Sequence, residues 1–256
     1  MINNKWIKFV ALLAFLSIHL GQLNTFDFQT IYTTETFNTP YSLKRFAEYF
    51  NQSDYNKIEV LASLSSYPDL PKWMNWFHRP NSEIGYFYGT PAVDNDGDID
   101  IEIILLDKFT FNVTMDRLKY TIISREQICK NEAQIQLFNL DLEDFIQKNI
   151  SAPVLDIFRK KLWQSDHVYI TNMARPIDVG GRFPLDPREK EGVTVRIGSM
   201  ANFTEELLRL ESEAAQIRSR NPCPKRFKAS SVEYLFREKK LFVDWCRFKL
   251  LLPSTP

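Results

Sequence analysis

The first half of the chain alternates apolar and polar positions in short runs that end at turn-forming residues. Ile58, Val60 and Ala62 occupy alternate positions, and a period of two indicates a strand with one buried face. The predicted strands of this half cover residues 58–63, 84–89, 99–106 and 119–124, with one helix at 43–50. Several short strands of this kind in about 100 residues favour a β-sandwich.

The second half mixes strands with helices. Apolar positions between residues 204 and 220 recur at helical spacing behind Thr204, a good N-cap residue, and this predicts a helix. Further helices are predicted at 141–148 and 154–163, separated by Pro153. The predicted strands cover residues 134–140, 167–172, 192–197 and 241–252. The order β-α-β-β-α-β is typical of a ferredoxin-like α+β domain.

These two patterns predict a multidomain chain. Residues 22–127 are expected to form an all-β sandwich of the immunoglobulin-like kind, and residues 128–256 an α+β ferredoxin-like domain. The boundary is placed near residues 125–132, where the first pattern gives way to the second.

The N-terminus is typical of a secretory signal peptide. Lys5 and Lys8 precede an apolar run at 9–20, which has the length of a signal-peptide core and is short for a membrane span. We expect residues 1–21 to be removed by cleavage near Gly21, and an uncleaved signal anchor is the alternative. No later stretch approaches the roughly 18 apolar residues of a transmembrane helix, so the mature chain is expected to be soluble and to enter the secretory pathway.

Composition narrows the classes of function. The chain has 256 residues, with 32 Lys and Arg against 32 Asp and Glu, and a net charge of zero disfavours a nucleic-acid partner. Its 8 glycines form none of the Gly-rich motifs that bind phosphate groups. This argues against a nucleotide-dependent enzyme.

Sequons and cysteines predict covalent modifications. The four N-x-S/T sequons begin at Asn51, Asn112, Asn149 and Asn202; in a secreted chain they are candidate glycosylation sites. The three cysteines are Cys129, Cys223 and Cys246. In an oxidising compartment two of them can pair and one is left over, but spacing alone does not say which.

The carboxylates between residues 94 and 100 form the candidate metal site. Gly97 lies in a run whose acidic members are Asp94, Asp96, Asp98 and Asp100. The run partly matches a calcium-binding loop but lacks its first carboxylate and its final Glu. A solvated turn between two strands is therefore favoured, and no metal or other cofactor is expected, with Ca²⁺ as the weaker alternative.

The sequence carries no strong catalytic signature. His78 and His167 have no Cys or Glu at the spacing of a zinc site, and no G-x-S-x-G motif marks a nucleophile. A secreted hydrolase is kept as the last hypothesis because triads meet only in space. The aromatic residues crowded between positions 73 and 88 are expected to fill the sandwich core, with a protein-contact surface as the alternative.

Motifs in both halves resemble known families. Residues 69–73 (DLPKW) and 85–91 (GYFYGTP), followed by an apolar strand at 101–104, are similar to the dystroglycan-type cadherin-like domain. The second half resembles the alpha/epsilon-sarcoglycan family in the order and spacing of its motifs. These are LWQ at 162–164, GGRFPL at 180–185, EGVTV at 191–195, CPKRF at 223–227 and VDWC at 243–246.

The resemblance implies a cadherin-like first domain and an architectural, non-enzymatic role. Members are cell-surface glycoproteins of the sarcolemma that assemble with other sarcoglycans and sarcospan beside dystroglycan, in the complex that links dystrophin to the extracellular matrix. The resemblance also implies a disulfide between Cys223 and Cys246. The main hypothesis is the extracellular portion of a sarcoglycan subunit that contributes to membrane stability in muscle; a secreted or calcium-dependent cell-adhesion module is the alternative.

The chain departs from the family pattern in two places. Family members carry further cysteines upstream of the position that matches Cys223, whereas residues 212–221 contain none. Members also continue past the VDWC motif into a C-terminal membrane span, and this sequence stops at Pro256 without one. We expect a truncated membrane protein, and a secreted form is the alternative.

Overall fold

The computed structural model describes residues 28–92, 94–124, 129–182, 184, 186, 188–220, 223 and 230–252. The predicted signal peptide at 1–21 lies outside these residues. The elements of the first half are β1 Phe28–Tyr32, β2 Phe37–Ser42, α1 Lys44–Tyr49, β3 Ile58–Leu64, β4 Met74–His78, β5 Ile84–Gly89, β6 Gly97–Asp107 and β7 Val113–Ile123. Those of the second half are β8 Asn131–Leu137, α2 Leu142–Gln147, α3 Ser151–Ile157, β9 Val168–Ala174, β10 Val193–Ser199, α4 Glu205–Arg218, α5 Glu233–Glu238 and β11 Lys249–Leu251.

The first half is dominated by β-strands, as the alternating pattern predicts. Its strands form a four-stranded sheet of order β1-β7-β6-β3 and a three-stranded sheet of order β2-β5-β4. Paired strands are antiparallel except β1 and β7, which are parallel. Ile101, Ile103 and Leu105 of β6 are completely buried in the core that the two sheets share, because alternate residues of a strand point to the same face.

The central strand of the three-stranded sheet, β5, is buried on both faces. The ring of Phe87 in β5 lies in the core of the first half, with its centroid 4.6 Å from that of Trp76. Tyr88, the next residue, points the other way and joins Phe77 in the core of the second half. The expectation that these aromatic residues fill the core of the first half is confirmed for Phe87 and is wrong for Phe77 and Tyr88, which lie in the core of the second half. One strand supplies two cores because its consecutive side chains alternate between faces.

The second half is built on a four-stranded antiparallel sheet of order β11-β8-β10-β9. Helices α2 and α3 connect β8 to β9, and α4 and α5 lie between β10 and β11 in the chain. The predicted apolar stripe of α4 is buried in the core, and Thr204 caps the helix by accepting a hydrogen bond from the Leu207 N–H. Leu207, Leu210, Ala214 and Ile217 form that stripe.

The helical segment between β8 and β9 is broken in two, as predicted. Helix α2 ends before Asn149, whose φ of 48° is left-handed, and α3 begins at Ser151. Pro153 lies in the first turn of α3, where its missing N–H removes no helical hydrogen bond. The break therefore lies at Asn149 and not at the proline.

The predicted strand at 241–252 is wrong over most of its length. Val243 makes a single bridge to Leu137, Trp245–Arg247 is a 3-10 turn, and only Lys249–Leu251 is a strand. Leu241, Val243 and Trp245 are buried at the spacing of a strand, but the Asp244 carboxylate accepts a hydrogen bond from the Cys246 N–H and turns the chain there.

Candidate functional site

The two halves meet at a junction that combines apolar and ionic contacts. Arg79, just beyond β4, forms ion pairs across it: Nη2 lies 3.0 Å from Asp141 Oδ2, and Nε lies 2.9 Å from Glu143 Oε2. Asp141 also accepts from Lys190 Nζ at 2.8 Å and from the Glu191 N–H at 2.8 Å. One largely buried carboxylate thereby connects β4, α2 and the loop before β10.

Two threonines of the first half bond to the second half. Thr36 and Thr90 both donate from their hydroxyls to the backbone oxygen of Ile170 in β9, at 3.4 and 3.3 Å. Thr90 is the middle residue of the Gly89-Thr90-Pro91 sequence, which closes the motif at residues 85–91. The motif ends β5 and also contacts the neighbouring half.

Gly89 allows a close approach of two backbone segments at this turn. A Cβ atom at Gly89 would lie 1.8 Å from the Trp73 carbonyl oxygen, and the Thr90 N–H donates to that same oxygen at 3.3 Å. The glycine is required because no side chain fits between the strands here.

A further contact fixes the orientation of β9 at the junction. Arg175, which follows β9, places its guanidinium 5.1 Å from the centre of the Phe77 ring and donates to both oxygens of Asp178 at 2.9 and 2.8 Å. A guanidinium over an aromatic face is favourable, and more so where water is excluded. Sequence reasoning missed the pairing of Arg79 with Asp141 and of Arg175 with Phe77 because these partners lie far apart in the chain.

The charged groups around α2 shift one another's pKa. A hydrogen bond from Lys148, supported by Lys190, lowers the pKa of the Asp144 carboxyl to about 2. In the same cluster, hydrogen bonds to Asp141 and Asp144 raise the pKa of the Lys190 ammonium. Asp144 and Lys190 are therefore both ionised at neutral pH.

An open cavity of about 920 Å³ lies beside the junction on the second half. Its lining includes Gln136, Asn139, Arg182, Lys190, Glu191 and Arg247. The guanidinium groups of Arg182 and Arg247 are exposed and form no ion pair with the described part of the chain. The lining combines positively charged guanidinium and ammonium groups with negatively charged carboxylates. Such a mixed lining suits a polar or charged segment of a partner.

Cys223 and Cys246 form a disulfide in the structure, the pair that the resemblance implies. Cys129 is a free, half-buried thiol, and burial raises its pKa. Among the described residues, Cys223, Cys246 and Asp244 are the one group of three metal-ligand types whose ligand atoms lie within 4.8 Å of one another. The sulfur atoms of the two cysteines are bonded to each other, so they offer no thiolate ligand to a metal.

The acidic residues of the candidate calcium loop do not converge. Asp98 accepts from the Thr121 hydroxyl at 2.8 Å, and Asp100 lies 3.9 Å from Lys119 Nζ, both across the β6–β7 ladder. Asp94 and Asp96 are exposed before β6. No three of these four described carboxylates have oxygen atoms within 4.8 Å of one another, whereas calcium takes six to eight oxygens.

All four sequon asparagines are exposed, and each lies where an element begins or ends. Asn51 follows α1, Asn112 precedes β7, Asn149 lies between α2 and α3, and Asn202 precedes the N-cap of α4.

Within the described residues, no helix is both long and apolar enough to cross a membrane.

Family models match both halves of the chain. The sarcoglycan alpha/epsilon N-terminal domain matches residues 23–124, and the sarcoglycan alpha/epsilon second domain matches residues 128–252. Together the two matches take in every described strand and helix. They appear in the same order as the two halves of the fold.

Curated relatives carry the same family name. Epsilon-sarcoglycan of Rattus norvegicus is 27% identical over 203 residues, which cover 76% of this chain and 44% of that protein. Alpha-sarcoglycan of Homo sapiens is 28% identical over 203 residues, covering 78% of this chain and 51% of that protein. The chain thus spans about half the length of the curated relatives it matches.

Solved structures align only loosely with this fold. An endo-fucoidan hydrolase of glycoside hydrolase family 107 aligns with a TM-score of 0.28 and 14% identity, covering 38% of this chain and 13% of that chain. The tandem Ig repeats of Dlar align with a TM-score of 0.27 and 8% identity, covering 44% of this chain and 53% of that chain. Alignments with scores this low assign no fold family. The assignment comes from the two domain matches, over residues 23–124 and 128–252, which show that the chain belongs to the alpha/epsilon sarcoglycan family.

Proposed function

We propose that this chain is the extracellular portion of a sarcoglycan subunit, assembled with other sarcoglycans, sarcospan and dystroglycan in the dystrophin-associated glycoprotein complex at the sarcolemma. Its role is architectural: it contributes to the link between cytoskeleton and extracellular matrix and to the stability of the muscle membrane. The observation that carries the proposal is the match of both domains of the family, in order, over residues 23–124 and 128–252.

The proposal includes the finer assignment of the fold. We assign residues 22–127 to a cadherin-like sandwich, which is supported by two sheets around one core. We assign residues 128–256 to a ferredoxin-like domain. Its support is the sheet order, in which the first and third strands of this half are central and the fourth and second lie at the edges.

We also propose a secretory origin, with residues 1–21 as a signal peptide and glycans on the four sequons. The exposure of Asn51, Asn112, Asn149 and Asn202 supports modification, since a glycan needs an asparagine at the surface. Membrane attachment is proposed to occur through a C-terminal span that follows this sequence in the full-length protein.

The proposed role is non-enzymatic. His78 supports it, because its Nε2 lies 2.6 Å from the Ser82 carbonyl oxygen, which is not a nucleophile. We further infer that the acidic run at 94–100 starts a strand and does not hold calcium, since Asp98 and Asp100 are bonded across the sheet. Calorimetry at millimolar calcium should show no heat, and a saturable signal lost in Asp98→Asn would contradict this inference.

Co-purification tests the proposed assembly. The protein that contains this chain is captured from detergent-solubilised muscle membranes with an antibody raised against residues 22–256, and its partners are quantified by mass spectrometry. We expect other sarcoglycans to be enriched severalfold over an unrelated membrane glycoprotein captured in parallel. Recovery of the protein from the membrane fraction with no sarcoglycan above that background would contradict the proposal.

A further inference from the structure

The β6–β7 turn exposes two apolar side chains, one of which, Phe109, has Lys57 Nζ 5.8 Å from its ring centroid. Phe109 and Phe111, within this turn, are each 75% exposed. We call these two residues the aromatic tip. Isolated apolar residues are common on protein surfaces, but two neighbouring phenylalanines on one tight turn form a patch that favours a covering group.

The turn is rigid, so the exposure of the tip is part of the fold. The buried carboxylate of Asp107 accepts from the Phe109 N–H at 2.9 Å and from the Thr110 hydroxyl at 2.6 Å. The Asp107 carbonyl accepts from the Phe111 N–H at 2.8 Å. These bonds leave the two aromatic rings outside the sandwich.

Phe111 occupies a conformation that a bulky residue rarely adopts. Its φ is 59°, in the left-handed region where Gly and Asn are the usual turn residues. A turn that served only to connect two strands would be less strained with either of those residues. An exposed, strained aromatic residue therefore indicates a function for its side chain.

The next residue begins a sequon. Asn112 is exposed, faces Asp107 across the end of the hairpin, and its side-chain amide makes no hydrogen bond within the described residues. A second sequon reaches the same end of the sandwich, because Gln52, which follows Asn51, donates to Asp107 Oδ2 at 3.1 Å. The segment that carries Asn51 thus contacts the base of the turn that carries the aromatic tip.

We propose that an N-linked oligosaccharide on Asn112 packs over the aromatic tip and covers this end of the first half. The inference rests on the secretory origin proposed above. In the transfer from a lipid-diphosphate oligosaccharide donor, Asn112 Nδ2 forms a bond to the anomeric carbon of the first N-acetylglucosamine. Nδ2 gives up one proton, and the lipid diphosphate leaves with the electron pair of the broken anomeric C–O bond.

Packing follows from the chemistry of the two partners. A sugar ring presents C–H groups on one face, and a phenyl ring presents an apolar, electron-rich face. Covering both rings removes apolar surface from water, which stabilises the glycosylated state. The asparagine and the tip lie on one turn, so little additional ordering is needed.

The test combines glycan mapping with a double-mutant cycle on the full chain secreted from mammalian cells. Mass spectrometry of glycopeptides measures occupancy at each sequon. Melting temperatures are then compared for the parent chain, Asn112→Gln, the tip variant Phe109→Ala/Phe111→Gly, and their combination. Thr114→Ala serves as a second way to remove the sequon while Asn112 stays in place.

We expect Asn112 to be occupied and its loss to lower the melting temperature by about 2–4 °C in the parent chain. In the tip variant the same loss should have little effect, because the surface that the sugar covers is gone. Asn149→Gln is the matched control, since its neighbours Gln147 and Lys148 are polar, and its effect should be equal in both backgrounds.

Two results would overturn this inference and leave the proposed secretory origin intact. One is an unoccupied Asn112 on a chain that is glycosylated elsewhere. The other is an equal shift in melting temperature for Asn112→Gln in the parent chain and in the tip variant. A chain with no sugar on any sequon would overturn it together with the proposed secretory origin. Retention of the expected coupling with Thr114→Ala would show that it comes from the sugar and not from the asparagine side chain.

Discussion

Single residues at the junction have effects beyond their own element. Gly89 ends β5, allows the Trp73 carbonyl to approach, and places Thr90 within reach of Ile170 in the other half. Asp141 precedes α2 and bonds to Arg79 and Lys190. Gly89 acts through the space that its missing side chain leaves for the Trp73 carbonyl. Asp141 acts through its charge, which holds Arg79 and Lys190 in place.

Gly89→Ala should lower the free energy of unfolding by about 2 kcal/mol or more, because its methyl group would collide with a backbone oxygen that cannot rotate away. Urea unfolding measures the change. Gly97→Ala is the control: its Cβ meets nothing within 4 Å although φ is 109°, so it should cost about 1 kcal/mol. Equal losses for the two variants would contradict the collision argument.

Asp144 should make stability depend on acid pH. Its pKa falls to about 2 in the folded chain through Lys148 and Lys190, against about 3.9 in an unfolded chain. A lowered pKa contributes stability above about pH 4, and this contribution is lost as the pH falls from about 4 to 2.

Asp144→Asn should therefore lower the free energy of unfolding at pH 7 by about 1 kcal/mol, allowing for solvent screening, with no difference from the parent chain near pH 2. Asp156→Asn removes the carboxylate of another i,i+4 pair, with Lys160, whose members are 49% and 69% exposed. Its effect should be smaller. A pH-independent effect of Asp144→Asn would contradict the assignment.

At the scale of elements, the end of the second half is held by contacts other than a regular strand. The chain turns at Asp244, and the disulfide from Cys246 connects this turn to Cys223, beyond the C-terminus of α4. Trp245 and Phe248 are buried beside Phe236 of α5. A covalent link replaces part of the hydrogen-bond ladder that a full-length strand would have provided.

Replacing both bridged cysteines by serine should lower the free energy of unfolding by about 3 kcal/mol, the loop-closure entropy of a cross-link between residues 23 apart. Denaturant unfolding of the oxidised chain tests this. Cys129→Ser is the matched control, because its sulfur is unbridged and bonds to the Asn131 carbonyl, a bond that a hydroxyl can replace. Similar losses for the two changes would contradict a stabilising bridge.

At the scale of the whole molecule, the three-stranded sheet joins the two halves. Its inner face completes the core of the first half, and its outer face, with Phe77 and Tyr88, enters the core of the second. Ion pairs and threonine hydrogen bonds surround this contact. The two halves are therefore held in a defined arrangement, with an open cavity beside the junction.

A double-mutant cycle between Arg79→Ala and Asp141→Ala should give a coupling free energy of about 1 kcal/mol or more, because the Asp141 side chain is only 12% exposed. The control cycle uses Arg117 and Glu102, an ion pair within one sheet whose arginine is 51% exposed. That coupling should be below about 0.5 kcal/mol. Additive effects of the Arg79 and Asp141 changes would show that the ion pair does not help to join the halves.

Much of the fold follows from local patterns. The alternation in β6 and the helical stripe of α4 predict their own buried faces, because a strand or helix repeats its side-chain directions at a fixed period. Patterns of this kind failed at 241–252, where alternate burial continues through a turn. They also did not predict α5 at Glu233–Glu238.

The sequence by itself determined the buried faces of regular elements such as β6 and α4, the family to which the chain belongs, and the positions available for sugars and a disulfide. Only the tertiary structure decided what covers each face. It placed Tyr88 and Phe87 in different cores, brought Arg79 to Asp141, and made Gly89-Thr90-Pro91 a contact between halves. The physical reason is that periodicity encodes the direction of a side chain, whereas its partner depends on segments far away in the chain.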